Sequence, residues 1–336
     1  MDKPIIFILS VDTEEEWNWA GPFPNENFSV ENVNEIPAFQ IFCQELGVKP
    51  TYFVDYAVAN NPIASDTLKQ LNKNHCEIGA HLHPWANPPF YNETSEESSH
   101  VVNLPIEHVK EKLQMLKQEI INKIGQQPKS FRTGRWGING KILQLLQDEG
   151  ISVDSSIYPL FCNNYFSCEN APTFPYWPSY SDTNTNGEQN KIFEIPVTVG
   201  FNRSNYRLWQ KLHKAFEKPP FTWMRVNGIL WQTNILRKLY LSPELCTAKD
   251  MITLVETSIK KEQTVLHMYL HSSSLIENVT GLSRQANARE SICQKINTVV
   301  KHLTQQHKNI KFCTISEAKK YIQTGSSNNL HSENKQ

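Results

Sequence analysis

Residues 5–9 read Ile-Ile-Phe-Ile-Leu, an apolar run too short for a helix, rich in branched side chains and leading straight into acidic residues. Such a run predicts a strand buried on both faces, as in a parallel sheet. Helical periodicity follows over 34–46 and stops at Gly47, and a second strand-like run, Pro-Thr-Tyr-Phe-Val, occupies 50–54. Next come a helix over 65–74, a strand over 77–80, and a loop rich in Pro, Ser and Glu over 84–103. A helix over 107–124, a strand ending near Phe131-Arg132, a helix over 140–149 stopped by Gly150, and a strand over 151–154 complete the first half. Strand alternating with helix at this rhythm predicts a parallel sheet, open or closed.

The rhythm lapses over 160–190, where Asn, Pro, Ser and Tyr dominate and a long surface excursion is expected. A strand is expected over 192–199, around Glu194-Ile195-Pro196-Val197. From 206 to 241 the chain is basic, aromatic and helical in pattern, broken by Pro219-Pro220. This reads as a helical insertion, about 204–245, lying over the mouth of the sheet. A helix over 248–261, a strand over 265–270, a long helix over 284–306, a strand over 310–313 and a closing helix over 316–323 follow. Residues 1–324 are read as one domain and 325–336 as a disordered polar tail. No internal repeat is visible.

Composition narrows the function classes. The 336 residues are 39% hydrophobic and 10% aromatic, enough for a packed core in one large barrel or two ordinary domains. With 33 basic and 34 acidic residues the formal charge is −1, and no long Lys/Arg run exists, so nucleic acid is not an expected partner. Eight Trp and eleven Tyr suit stacking on sugar rings, but core and rim positions are the simpler reading. Seven Cys, an odd number without a C-x-x-C pair, argue against a disulfide framework or zinc ribbon and for free thiols in a reducing compartment. The first ten residues lack the pattern of a signal peptide, and no run has the length of a membrane span. A cytoplasmic protein without a membrane span is expected; the oligomeric state is open.

Five clusters carry candidate chemistry, each at the end of a predicted strand. In Ser10-Val11-Asp12-Thr13-Glu14-Glu15-Glu16-Trp17, Asp12 and Glu14 share a face at extended spacing, so one carboxylate could bind a cation and the other accept a proton from water. A solvated acidic loop would look the same. In Gly79-Ala80-His81-Leu82-His83-Pro84-Trp85, His81 and His83 also share a face and, beside carboxylates, suit zinc or a similar divalent ion. In Arg132-Thr133-Gly134-Arg135-Trp136, Arg132 could hold a carboxylate in its charged form, and the backbone amides could face an oxyanion. Asp154, before Ser155-Ser156, is a further strand-end acid. His271 ends a late strand, where an imidazole could serve as general acid, whereas His267 at the strand's other end reads as structural. In a barrel, all five points converge on one mouth.

Taken in order, these clusters resemble the polysaccharide deacetylases of carbohydrate esterase family four. Ser-Val-Asp12-Thr-Glu14 stands for the first motif, His81-Leu82-His83-Pro84 for the second, Arg132-Thr133-Gly134-Arg135-Trp136 for the third, Asp154-Ser155-Ser156 for the fourth and the segment ending at His271 for the fifth. The opening acidic run, His-Leu-His-Pro-Trp and Glu194-Ile195-Pro196-Val197 also resemble a subgroup from lipopolysaccharide and surface-glycan biosynthesis. The resemblance implies an α/β fold, a distorted (β/α)7 barrel, with one divalent metal, usually zinc. It implies Glu14, His81 and His83 as metal ligands, Asp12 as the base, Arg132 as its partner, Asp154 as support for that network and His271 as the proton donor to the departing amine. The implied reaction is removal of an N-acyl group from an amino sugar or glycan precursor, with a carbohydrate as substrate.

Two departures stand out. The family's His pair is four apart, whereas position 85 here is Trp and the spacing is two, so either His83 replaces the second ligand or one His is no ligand. Gly134-Arg135 stands where Pro-aromatic is usual, and Arg135 would bring positive charge toward a substrate phosphate or carboxylate. Two rival readings remain: a hydrolase of another small amide or formyl substrate on this fold, and a non-catalytic glycan-binding protein with a decayed site.

Overall fold

The computed structural model of the protein describes residues 4–24, 26–280 and 287–323. The chain order is β1 (Ile5–Thr13), α1 (Ile36–Glu45), β2 (Pro50–Val54), α2 (Tyr56–Asn60), α3 (Pro62–Lys69), β3 (Glu77–Leu82), α4 (Ile106–Glu119), β4 (Ser130–Thr133), α5 (Gly140–Asp148), β5 (Val153–Asp154) and β6 (Phe193–Glu194). It continues through β7 (Val199–Phe201), α6 (Tyr206–Phe216), α7 (Val226–Gln232), β8 (Lys238–Tyr240), α8 (Ala248–Lys260), β9 (Val265–His271), α9 (Ala288–Gln306) and β10 (Ile310–Phe312), with a last helix over 315–323.

Seven parallel strands, β9-β1-β2-β3-β4-β5-β6, curl into a half-barrel, a distorted (β/α)7 arrangement. Strand β1 organises it. Residues Ile6–Asp12 pair with β9 on one side, while the other side is shared: β10 takes Ile5–Phe7 and β2 takes Leu9–Thr13. The gap between β6 and β9 is spanned by Thr198, whose amide bonds the carbonyl of His267. None of the described helices is long and apolar enough to cross a membrane.

Strand parity divides the core. Phe7, Leu9 and Val11 point outward to the helices and join the large core with Phe39, Ile78, Ala80, Leu82 and Phe131. Ile6 and Ile8 point inward with Phe53, Val153 and Phe193. Successive strand residues alternate faces, so Ser10 and Asp12 continue the inward row of β1, Gly79 and His81 belong to that of β3, and Arg132 to that of β4.

Several elements depart from the periodicity reading. The helix expected over 65–74 lies earlier, as α2 and α3, because Asp55 caps one by accepting from the Val58 amide and Asn61 caps the other by accepting from Ile63 and Ala64. The expected strand 192–199 pairs in the parallel sheet only over Phe193–Glu194; Pro196 has no amide to donate to a ladder. The insertion holds the expected helices, α6 and α7, on an antiparallel β7–β8 hairpin that the helical pattern did not reveal. The start of the helix expected over 284–306 and the tail 325–336 lie outside the described residues.

Candidate functional site

The inward rows end at one rim. Register places Asp12 opposite His271 across β1–β9 and His81 opposite Arg132 across β3–β4. Above them opens a cleft of about 260 Å³, walled by Trp17, Trp19, Trp85, Trp136 and Phe161 and holding Asp12, Glu14, His81, His83 and His271. A larger cavity of about 360 Å³ beside Phe90 and Tyr91 contains none of these five.

Glu14, His81 and His83 are each 2–3% exposed and their donor atoms converge. Glu14 Oε2 lies 3.3 Å from His81 Nε2 and 3.2 Å from His83 Nε2. Donors about 2.0–2.1 Å from a tetrahedral centre stand roughly 3.4 Å apart, so the spacing fits one zinc-sized cation. The far ring nitrogens are also engaged. His81 Nδ1 bonds the carbonyl of Arg132 at 3.1 Å, and His83 Nδ1 bonds both oxygens of Glu15 at 2.9 and 3.0 Å. Each Nδ1 has an acceptor to hold its proton, so a cation that displaces the proton on Nε2 would find that nitrogen already aimed inward, as metal-binding imidazoles require. Burial alone would raise the Glu14 carboxyl, but the neighbouring His271, His83 and His81 hold it well below the usual carboxylate range, leaving it ionised. The donor set fits a divalent cation, and a histidine spacing of two suffices because His83 lies just past the strand end.

Asp12 sits between two cations. Arg132, fully buried, donates from NH1 to Asp12 Oδ1 at 2.6 Å. Its Nε and NH2 donate to the Ser155 carbonyl and hydroxyl at 3.0 and 2.9 Å, and its plane lies over the Phe53 ring at 4.5 Å. His267 completes the cradle, with Nε2 2.8 Å from Ser10 Oγ and 3.4 Å from Arg132 NH2. Burial, then the Arg132 charge, push His267 well below the usual imidazole range, so it stays neutral and accepts at Nε2. The other Asp12 oxygen, Oδ2, is 3.7 Å from His271 Nε2. His271 Nδ1 lies 3.0 Å from Glu244 Oε2, and Trp19 packs edge-on against the ring. Burial works against the charged imidazole, but Glu244, Glu14 and Asp12 outweigh it and raise its pKa to about 9.

Asp154 stands elsewhere. Val153 faces inward, so Asp154 faces away from the cleft, and Ser155 meets Arg132 in its stead. Asp154 accepts from the Ser156 hydroxyl at 2.7 Å, and that oxygen accepts from the Thr133 amide at 2.9 Å, so it braces the loop after β4. It also lies against Glu194, whose carboxyl burial and the Asp154 charge push well above the usual range. Of the amides near Thr133–Trp136, those of Thr133 and Gly134 are committed to Ser156 and to the Leu82 carbonyl. Arg135 does not offer a free charge: Glu96 and Ser99 hold its guanidinium at 2.7 and 2.6 Å.

Glu15, Asp55, Ser155 and Glu244 were not singled out from the sequence. Glu15 was visible as the middle of the acidic run, and Trp85 donates to it from the other side. Burial and the Glu15 charge push Asp55 well above the usual range. Glu244, 27 residues before its partner in a Ser-Pro-Glu segment, carries no local signal.

No family model matches the chain, and no curated protein matches it in sequence. Solved structures do match in fold. A candidate polysaccharide deacetylase from Mycobacterium smegmatis aligns with a TM-score of 0.55 at 12% identity, over 97% of this chain and 92% of that one. A candidate glycoside hydrolase/deacetylase from Parabacteroides distasonis aligns at 0.63 and 12% identity, over 96% and 71%. A 4-alpha-glucanotransferase from Thermococcus litoralis aligns at 0.52 and 14% identity, over 96% and 40%. The chain has the fold of the polysaccharide deacetylases. A glucanotransferase shares it, so activity has to be argued from the site.

Proposed function

We propose that the protein is a metal-dependent amide hydrolase that removes an N-acyl group, acetyl in the simplest case, from an amino sugar of a surface-polysaccharide precursor. One observation carries the reading: a carboxylate, Asp12, fixed between a buried Arg132 and a charged His271, at the edge of a converging Glu14–His81–His83 donor set. A divalent cation held by those three residues, zinc by their chemistry, supplies Lewis acidity toward the acyl oxygen and the attacking water.

The chain's own residues do the rest. Arg132 occupies Oδ1 of Asp12, so Oδ2 is the oxygen that takes a proton from water. His271, protonated through Glu244, gives a proton to the amide nitrogen as the C–N bond breaks; without it the amine is a poor leaving group. Carboxylic acid and free amine leave. The tryptophans of the cleft offer flat apolar faces to a sugar ring. All seven cysteines are free, which agrees with a reducing compartment such as the cytoplasm.

The test is release of acetate from N-acetylated oligosaccharides by Asp12→Asn beside wild type, with metal content measured in both. Turnover disappears while about one equivalent of metal stays bound. Retained turnover removes Asp12 from its role. Wild type that takes up less than about a tenth of an equivalent of added zinc points instead to a glycan-binding protein.

A further inference from the structure

The insertion between β7 and β8 differs in character from the rest of the chain. Residues 203–238 hold eight Lys and Arg and one acid, Glu217, in a protein whose net charge is −1. Some of these cations are engaged, as Lys214 is with Glu169 and Arg237 with Asp250. Arg207, Lys211, Lys218 and Arg225 are exposed and form no ion pair among the described residues. Arg207 and Lys211 lie on the outer face of α6, whose inner face buries Tyr206 and Gln210. Lys218 and Arg225 bracket the connection to α7.

That connection carries large apolar side chains in water. Residues 217–225 are all exposed, including Phe221 at 40%, Trp223 at 79% and Met224 at 63%. Helix α7 buries no residue at all and leaves Ile229 55% exposed. An exposed apolar patch of this size beside polar residues marks a surface that meets something. The accompanying charge says what. A second copy docking through this patch would set like charges against like, whereas lipid phosphates would neutralise them. Aromatic and apolar side chains at a tip flanked by Lys and Arg match the chemistry of a bilayer interface, apolar below the headgroups and anionic at their level.

We propose that the 203–238 insertion docks on an anionic phospholipid bilayer. Phe221, Trp223 and Met224 enter the headgroup region, and Arg207, Lys211, Lys218 and Arg225 meet lipid phosphates. Phe161 walls both the catalytic cleft and a second cavity lined by Gln210, Lys214 and Trp231 of the insertion. The base of the insertion thus adjoins the wall of the cleft. This goes beyond the hydrolase reading and does not depend on it.

The experiment is flotation of the full-length chain with vesicles of pure phosphatidylcholine or of phosphatidylcholine with about a third phosphatidylglycerol. Wild type binds the anionic vesicles at least about tenfold more tightly, and salt releases it. Each lost basic side chain near the surface is worth roughly fivefold, so Lys218→Glu/Arg225→Glu loses about 25-fold or more. Trp223→Ser/Met224→Ser loses roughly tenfold through lost apolar insertion. Thermal melting checks that both variants fold, which their exposure predicts, and hydrolysis of a soluble substrate stays at the wild-type rate. Equal binding to both vesicle types, no binding, or variants that bind like wild type overturn the proposal. Conversion of a dimer to a monomer by the same variants in sedimentation also overturns it, assigning the patch to a second copy.

Discussion

Gly134 offers a test of the metal-site geometry that changes no ligand. Its amide bonds the Leu82 carbonyl at 2.9 Å, which seats the loop after β4 against the end of β3. A methyl group there would lie 2.2 Å from His83 Cδ2, 2.9 Å from His83 Nε2 and 2.8 Å from the Leu82 oxygen. Carbon atoms rest at about 3.5–4.0 Å, so the imidazole has to retreat by more than roughly 1 Å. It has little room, because Glu15 holds its other nitrogen and Trp85 stacks on its face at 4.3 Å. Gly134→Ala should therefore cost about 1–3 kcal/mol of folding stability by overpacking and weaken zinc about 10–100-fold, the range seen when a ligand's support is disturbed. Competition against a chelating dye measures the affinity, and urea unfolding of the metal-free protein measures the stability. Gly228→Ala, whose methyl meets nothing nearer than Arg225 Cβ at 4.0 Å, serves as the neutral control. A folded Gly134→Ala protein that binds zinc within twofold of wild type would refute the placement of His83.

Three further outcomes follow from the same geometry. His271 is a proton donor only below its pKa, raised to about 9, so the alkaline fall of kcat tracks that group; Glu244→Gln removes the largest raising influence and moves the fall toward neutral pH, and an unmoved profile assigns the proton to another residue. Glu194 has a raised folded pKa, so the folded chain keeps its proton while the unfolded chain loses it above about pH 4.3. Its contribution is thus favourable at acid pH and is lost as pH rises toward the folded value; Glu194→Gln, which keeps a donor toward Asp154, should melt no lower than wild type at pH 8 and lose that advantage at pH 4, and a destabilised variant at pH 8 would show Glu194 ionised. Zinc at about a hundred times its Kd should add roughly 2.7 kcal/mol to stability; Asp12→Asn keeps this gain and His81→Ala loses it, and the reverse order in calorimetry would exchange their roles.

The fold was legible because burial on both faces leaves a print: Ile5–Leu9 is apolar at every position, shorter runs rich in apolar residues follow at 50–54 and 265–270, and helical periods fill the spaces. Helix boundaries were less so. Asp55 and Asn61 are polar residues in an apolar stretch, and only their capping bonds show that two short helices start there. The site splits along the same line. Asp12, His81 and Arg132 could be singled out because each lies near a strand end, where the structure brings the inward rows to the rim. Glu244 was not, because its 27-residue separation from His271 is bridged by tertiary structure alone.

Parity explains why Asp154 does not reach the rim. A strand-end acid suggests a rim ligand only if its side chain falls on the inward face, and a strand turns every second residue away. In β5 the inward position before the end belongs to Val153, which puts Asp154 outside with Glu194 and hands the contact with Arg132 to Ser155. The same count works in β3, where outward Ala80 and Leu82 flank inward His81. A serine can replace an acid at Arg132 because Asp12 already matches the guanidinium charge; a second ionised carboxylate there would compete for it and weaken the hold on Asp12. Ser155→Asp therefore tests the arrangement more sharply than removal of Asp154. It should lower kcat, and also lower the melting temperature because the buried Ser155 hydroxyl donates to the Ile195 carbonyl at 2.8 Å; unchanged kcat in a folded variant would mean that the Arg132–Asp12 pair does not set the base.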